Sequence, residues 1–197
     1  MNIALELFEL GAFKVGDFLL KSGLRSPFYI DLRLTISNPR LLVFIAEALH
    51  TAAKGISYDL LCGVPYTALP FATAISIAHN LPMVLKRREK KAHGTGKMVE
   101  GIFRKGQRCL IVEDVVTSGT SILETSAELA QEGLIVQDAV VVLDREQGGR
   151  KILAEKGIQL HSVCTISSIV NTLMEKKKID ATTGSSAFGF IQSNQLA

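Results

Sequence analysis

The densest group of chemically useful side chains in this 197-residue sequence follows one apolar run. Residues 109–112, CLIV, lead into two adjacent carboxylates, Glu113 and Asp114, and then into the small-residue turn TSGTS at 117–121. A turn of this kind leaves backbone N–H groups free to converge on an anion, and the helix that it opens adds its dipole. The two carboxylates could hold vicinal hydroxyls of a sugar, or a Mg²⁺ ion bound to them. The pattern therefore indicates a phosphate cradle beside a diol clamp, as a ribose 5-phosphate requires.

A plainer interpretation of the same segment is a helix N-cap preceded by two solvated acids. The paired acids directly after a buried strand favour the binding interpretation. Other phosphate motifs are missing from the chain: there is no GxxxxGK[ST], and no GxGxxG opens a helix after a strand.

A second candidate is the basic segment between Lys86 and Lys105, which has eight basic residues against two acidic ones. The rest of the chain has 14 basic and 17 acidic residues, so the positive charge is local. A solvated surface or a weak nucleic-acid patch is the alternative interpretation. The net charge of +3 is too small for a protein that wraps nucleic acid, and the segment instead suggests a local anionic ligand.

The elements that must position these residues alternate regularly from Tyr58 onward. Apolar strands are predicted over 58–64, 82–88, 108–114, 137–145 and 158–166, with helices over about 68–79 and 120–132 and on either side of the last strand. Strands that are apolar throughout belong to a sheet that is covered on both faces. Alternation with helices makes that sheet mostly parallel, so the fold class is α/β.

The remaining segments are less regular. A helix is predicted over 2–11, strand character in the second half of 21–33, and a helix over about 40–53 after Asn38-Pro39. The polar, glycine-rich segment 88–106 is expected to be a functional loop, and the Ser/Gly-rich tail after Asp180 to be loosely ordered. No repeat or interdomain linker is visible, so residues 1–197 are predicted to form a single domain.

Composition bounds the kind of protein further. Hydrophobic residues make up 47% of the chain and charged residues 21%, which supplies a full core and excludes intrinsic disorder. Three cysteines have no metal-ligand spacing and cannot all pair, so they are expected to fill the core in a reducing compartment. The N-terminus is acidic and residues 41–49 are too short to span a bilayer, so a cytoplasmic location is expected.

The strand, acidic pair and TSGT turn resemble the motif with which type I phosphoribosyltransferases bind phosphoribosyl pyrophosphate (PRPP). Four other segments are similar to orotate phosphoribosyltransferases and to the corresponding domain of bifunctional UMP synthases: KSGLRSPFYIDLR at 21–33, GVPYTALP at 63–70, KRREKKAHGTG at 86–96 and LDREQGG at 143–149. The resemblance covers roughly residues 5–165. It implies a type I phosphoribosyltransferase fold, with a central mostly parallel sheet flanked by helices, a small N-terminal hood over about 1–35 and a flexible catalytic loop over about 88–106.

The resemblance also implies an activity. The enzyme would transfer the ribose 5-phosphate group of PRPP to orotate, giving orotidine 5′-phosphate and pyrophosphate in UMP biosynthesis. Mg²⁺ would be the cofactor, bound mainly through PRPP and water. The implied assembly is a homodimer in which each subunit's loop serves its neighbour, with no nucleic acid or membrane partner. Because no orotidylate decarboxylase domain follows in this sequence, a stand-alone enzyme is expected.

The family's functional positions transfer to this chain where the motifs match. Lys91 and Asp114 are the implied catalytic residues, and Lys91 is the main catalytic cation. The implied PRPP-binding residues are Lys21, Tyr66, Thr67, Arg87, Arg88, Lys91, His93, Glu113, Asp114, Val115, Val116, Thr117, Ser118, Gly119, Thr120 and Ser121. The implied orotate-binding residues are Tyr29, Ile30, Thr117 and Arg145.

Arg145 follows an apolar strand, and its planar fork is suited to the carboxylate of orotate. Without the resemblance, it is a surface arginine in a turn. The sequence departs from the family at Arg88, where relatives often have Lys, and at Thr67, where some have Lys. Two alternatives are a purine phosphoribosyltransferase and a non-catalytic PRPP-sensing regulator on the same fold. Arg145 disfavours the first, and the absence of a separate basic face disfavours the second.

Overall fold

The computed structural model describes residues 1–20, 23–87 and 98–195. Its centre is a six-stranded sheet in the order β5-β4-β3-β6-β7-β8, parallel except where β5 joins β4. These strands are β3 Leu60–Gly63, β4 Met83–Lys86, β5 Val99–Glu100, β6 Cys109–Val116, β7 Asp138–Asp144 and β8 Gln159–Thr165. A separate antiparallel hairpin pairs β1 Phe13–Leu19 with β2 Arg25–Ile30. The predicted α/β class with a mostly parallel sheet is confirmed.

Helices connect and cover the strands. They are α1 Ile3–Glu9, α2 Pro39–Ala52, α3 Ala68–His79, α4 Thr120–Gln131, α5 Gly149–Glu155, α6 Ile166–Glu175 and α7 Ala181–Ser193, with a short 3-10 helix at Leu32–Ser37. All of β3 and six of the seven residues of β7 are buried, because helices lie against both faces of the sheet. Asn38 caps α2 by accepting from the Leu41 N–H, with Pro39 in the first turn, as the Asn-Pro pair predicted.

The first strand of the hairpin is absent from the sequence prediction, which found strand character only in the second half of 21–33. In β1 the pairing register shifts between Val15 and Phe18, a bulge that breaks the apolar alternation. Phe13 on β1 nevertheless stacks on Phe28 of β2, with ring centroids 5.9 Å apart. The hairpin is therefore anchored to the core through aromatic side chains that local periodicity does not reveal.

Two segments predicted to be irregular are ordered. The predicted 88–106 loop is wrong at its C-terminal part, because Val99 is buried and pairs with Lys86 as part of β5. Residues 88–97 of that loop lie outside the described residues. The tail predicted to be loose forms α7, which Asp180 caps by accepting from the Thr183 N–H.

Small residues are what allow α7 to pack. A Cβ at Gly184 would lie 2.2 Å from the Met174 Sδ of α6, so the two helices approach too closely for a larger side chain. Gly184, Ala187 and Ile191 form the buried face of α7. The Ser/Gly-rich composition therefore reflects close helix packing here and not disorder.

The three cysteines, Cys62, Cys109 and Cys164, are buried and unpaired, so their predicted role as core residues is confirmed. The reducing compartment inferred from them stays a prediction. Within the described ranges, no helix is long and apolar enough to cross a membrane.

Candidate active site

The loop that joins β6 to α4 encloses a cavity. The cavity is lined by Glu113 and residues 115–122 and has a volume of about 170 Å³. This volume is several times the ~30 Å³ that a water molecule occupies in the liquid. Gly119 adopts a φ of +81°, and a Cβ there would lie 2.9 Å from the Leu153 Cγ. Glycine is therefore required for this turn, which brings the backbone of the loop around one small volume.

Helix α4 begins at this cavity. Its N-cap is Gly119, which has no side chain to cap the helix, and the Ser118 Oγ accepts a hydrogen bond of 3.4 Å from the Thr120 N–H. The hydroxyls of Ser118 and Thr120 are hydrogen-bonded to each other, 2.8 Å apart, at the cavity mouth. The first-turn N–H groups and the hydroxyls form a donor set at the positive end of a 12-residue helix. Such a set binds a phosphate-like anion.

The two acidic residues of the motif have different environments. Glu113 is 6% exposed, and its Oε1 accepts a hydrogen bond of 2.9 Å from the Asp114 backbone N–H. Burial, aided by the neighbouring Asp114 carboxylate, raises the pKa of Glu113 far above its ordinary value. Asp114 is half-buried, and its Oδ1 accepts 2.8 Å from the Val115 N–H. Burial therefore disfavours the charged form of Glu113, and a protonated Glu113 would repel an anionic ligand less.

The hood contributes a charged pair near these acids. Arg33 donates to both carboxylate oxygens of Asp31, at 2.6 and 2.8 Å, and this hydrogen bonding lowers the pKa of Asp31. Arg33 also lies within electrostatic range of Tyr29 and Asp114. The sequence prediction did not include Arg33 among the site residues, although it ends the hood segment 21–33 that was singled out.

Arg145 lies at the carboxyl end of β7, beside the cavity loop. Its backbone N–H donates 3.0 Å to the Val116 carbonyl, and its guanidinium carbon is 5.8 Å from the centre of the Phe28 ring. Its Nε is buried and has no hydrogen-bond partner among the described residues. Burial lowers the pKa of this arginine. A desolvated guanidinium with an unused donor is suited to a planar anionic ligand such as a carboxylate.

The segment after Arg145 is held firmly in place. Asp144 is 3% exposed, accepts from the Glu146 N–H and forms an ion pair of 3.1 Å with Arg150. The arginine partner of Asp144 is therefore Arg150 and not the adjacent Arg145. A Cβ at Gly149 would lie 2.5 Å from the Thr117 carbonyl oxygen, so this segment and the cavity loop are in close contact.

The remaining predicted residues surround the same edge of the sheet. Tyr66 is exposed and, with Thr67, lies between β3 and α3, where the Pro65–Tyr66 peptide bond is cis. Tyr29 and Ile30 end β2, and the Tyr29 ring lies 5.7 Å from that of Phe18.

Arg87 follows β4, and its Nη1 is 3.3 Å from the Glu100 Oε1. Lys21, Arg88, Lys91 and His93 lie outside the described residues, so their roles stay predictions.

Comparison with known proteins identifies the class. Residues 39–169 match the family model described as a phosphoribosyl transferase domain. The mostly parallel sheet, the glycine turn after β6 and this match together define a phosphoribosyltransferase.

The relatives narrow the class. The chain is 52% identical over 190 residues to uridine 5′-monophosphate synthase of Bos taurus, covering 95% of this chain and 40% of that protein. It is 44% identical over 175 residues to orotate phosphoribosyltransferase of Caenorhabditis elegans, covering 88% and 77%. The crystal structure of orotate phosphoribosyltransferase from Aeropyrum pernix superposes with a TM-score of 0.79 at 34% identity, covering 87% of this chain and 98% of that one. The chain belongs to the orotate phosphoribosyltransferase family, and the resemblance predicted from its motifs is confirmed.

Proposed function

We propose that this chain transfers the ribose 5-phosphate group of PRPP to N1 of orotate, giving orotidine 5′-phosphate and pyrophosphate in pyrimidine biosynthesis. The observation that carries the proposal is the half-buried Arg145, whose buried Nε has no hydrogen-bond partner among the described residues and whose backbone is bonded to Val116 of the cavity lining. The cavity supports the binding of a phosphate, and Arg145 supports a second, carboxylated substrate. The name of the relative orotate phosphoribosyltransferase supplies orotate and the transferred phosphoribosyl group, and PRPP is bound in the structure of a similar enzyme from Mycobacterium tuberculosis.

In this proposal, the protein works mainly by positioning its substrates. The 117–121 turn and the start of α4 hold the 5-phosphate, while the half-buried Asp114 accepts hydrogen bonds from the ribose hydroxyls. Arg145 and the nearby Thr117 orient orotate so that its N1 faces ribose C1. Orotate reacts as its N1 anion, the N1 proton having been lost to solvent. The new C–N bond forms as the bond from C1 to the pyrophosphate oxygen breaks, and the leaving group takes the electron pair. Proximity and preorganised charge then supply most of the rate enhancement.

The basic segment supplies the cations for the leaving group. Arg87 directly follows β4, and its ion pair with Glu100 of β5 holds the start of the segment against the sheet. Lys91 is the proposed catalytic cation, acting on the charge that develops on pyrophosphate. A cation that reaches the leaving group in the transition state stabilises that charge and lowers the barrier.

The donor set at the site suits a Mg²⁺ ion that is held mainly by its ligand. Mg²⁺ binds through one or two carboxylates together with substrate phosphates and water. Here Asp114 offers a half-buried carboxylate, whereas burial disfavours the charged form of Glu113. Asp114 is therefore the residue of the pair that would help to hold such an ion, together with PRPP and water. Such an ion would neutralise part of the charge on the pyrophosphate.

Two other functions are less well supported. A purine has no carboxylate, so a purine phosphoribosyltransferase would leave the Arg145 guanidinium without its anion. A PRPP-sensing regulator that binds nucleic acid needs a separate basic face, and outside 86–105 this chain has more acidic than basic residues. We propose further that the enzyme is a cytoplasmic homodimer whose catalytic loop is shared between subunits.

Product identification tests this function. The purified chain is incubated with PRPP, Mg²⁺ and either orotate or adenine, and the nucleotides and pyrophosphate are separated by chromatography. We expect equimolar orotidine 5′-phosphate and pyrophosphate with orotate, and no nucleotide with adenine. Formation of adenosine 5′-phosphate, or of no nucleotide at all, would contradict the proposal.

A further inference from the structure

Helix α7 contacts the two features that fix Arg145: the aromatic ring beneath its guanidinium and the chain segment that follows it. Phe190 on α7 packs edge-on against Phe28, with ring centroids 5.5 Å apart and planes at 86°. Phe28 is the ring over which the Arg145 guanidinium lies. The rings therefore form a continuous path of packed side chains from α7 to Arg145.

The second contact is polar. The Gln147 Nε2 donates 3.3 Å to the Asn194 carbonyl, and the Gln195 Nε2 donates to the Glu146 carbonyl. Gln147 is itself buried, so the bond to Asn194 gives its side-chain Nε2 donor a partner in place of water. Residues 146 and 147, directly after Arg145, are thus bonded to Asn194 and Gln195, the two residues that follow α7.

We infer that α7 is the element that positions Arg145 for substrate recognition, with Phe190 as its principal positioning residue. The inference rests on the proposed function, because it concerns how that site holds orotate. Phe190 does not touch the substrate. It fixes the tilt of the Phe28 ring, which is otherwise restrained by the stacked ring of Phe13, and so fixes the surface on which the guanidinium rests.

The geometry explains why the effect is specific to one substrate. Phe28 is 1% exposed and contacts the rings of both Phe13 and Phe190, so loss of the Phe190 ring removes one of the two ring contacts that hold it. The cavity loop at 117–121 is built on β6 and α4 and has no part in these contacts. Loss of Phe190 should therefore weaken orotate binding and leave PRPP binding unchanged.

Steady-state kinetics of a double-mutant cycle tests the inference in the full chain. The variants are Phe190→Ala, Arg145→Ala and the double variant. Phe188→Ala is the matched control, because Phe188 is half-buried on the same helix but lies about 200° around it from Phe190. Phe190→Leu fills most of the volume without an aromatic edge, and it replaces Phe190→Ala if that variant does not fold.

For Phe190→Ala, we expect the KM for orotate to rise about tenfold and the KM for PRPP to change by less than about twofold, with a normal circular dichroism spectrum. Phe188→Ala should leave both KM values near those of the wild type. The double variant should have the orotate KM of Arg145→Ala alone, because Phe190 acts through Arg145.

Multiplicative effects in the double variant, or equal rises in the two KM values, would overturn the positioning role while leaving the proposed function intact. An orotate KM that does not change in Arg145→Ala would overturn the orotate site and this inference with it.

Discussion

At the scale of single residues, the adjacent acids Glu113 and Asp114 differ in burial and therefore in how easily they ionise. Glu113 and Asp114 are neighbours in the chain, yet only Glu113 is enclosed by the sheet and the covering helices. Because enclosure disfavours its charged form, the pKa of Glu113 is raised, and Asp114 is the member of the pair that we propose for the ribose hydroxyls. The sequence identified the pair correctly, but spacing alone does not show which member is buried.

This difference predicts a pH dependence of stability. The pKa of Glu113 rises from 4.5 to about 9 on folding, so between these values the folded chain binds a proton that the unfolded chain has lost. The contribution of Glu113 to the free energy of unfolding is therefore present at low pH. This contribution falls by up to about 1.4 kcal/mol per pH unit as the pH rises between the two pKa values.

Glu113→Gln is expected to remove that slope, so the variant should gain stability relative to the wild type between about pH 6 and pH 8. Urea unfolding at several pH values measures the change, with the exposed Glu155→Gln as the control that keeps the wild-type slope. Parallel curves for wild type and Glu113→Gln would show that Glu113 is ionised in the folded chain.

At the scale of elements, the site lies where the neighbouring strands β6 and β7 end and where the turn from β6 to α4 begins. The segment from β6 to α4 could be predicted from the sequence because its strand, acids, glycine turn and helix start are consecutive. The bulged strand β1 and helix α7 could not be predicted, because contacts with residues far away in the sequence determine where they form. From the sequence alone, Gly184 suggests a break in the helix. In the structure, the Met174 side chain of the neighbouring helix α6 occupies the position that a Cβ at Gly184 would take. Likewise, the path from Phe190 to Arg145 joins residues that are far apart in sequence.

Gly119→Ala tests whether the turn before α4 must keep its shape. Both the positive φ and the close Leu153 side chain oppose a Cβ there, so we expect a loss of roughly 1–2 kcal/mol in stability and at least a tenfold loss in PRPP affinity. Gly157→Ala is the matched control, with a φ of +77° and nothing within 4 Å of the added Cβ. It should lose some stability and retain PRPP affinity by calorimetry. Equal PRPP affinities in the two variants would show that the turn at Gly119 does not bind the phosphate of PRPP.

At the scale of the whole molecule, the proposed shared loop makes a prediction about mixed dimers. If Lys91 serves the neighbouring subunit, then Lys91 and Asp114 of one chain belong to different active sites. The Lys91→Ala and Asp114→Asn homodimers should each be nearly inactive. Mixed dimers formed by refolding the two together should contain one site with both lesions and one intact site.

Random pairing would then restore roughly a quarter of the wild-type activity, because half of the dimers have one intact site of two. Native mass spectrometry confirms that the mixed dimers form. If their activity stays at the level of the homodimers, each loop acts within its own subunit.

The central claim is that Arg145 selects the carboxylated base, and its most direct test compares orotate with uracil, which lacks the carboxylate. The measurement is the ratio of kcat/KM for orotate to kcat/KM for uracil, at saturating PRPP, in the wild type and in Arg145→Ala. Because the intrinsic reactivities of the two bases cancel between the enzymes, the change in this ratio isolates the contact with the carboxylate. Loss of a buried charge-assisted pair costs about 2–4 kcal/mol, so the ratio should fall by roughly 30- to 1000-fold in Arg145→Ala. An unchanged ratio would show that Arg145 does not recognise the carboxylate.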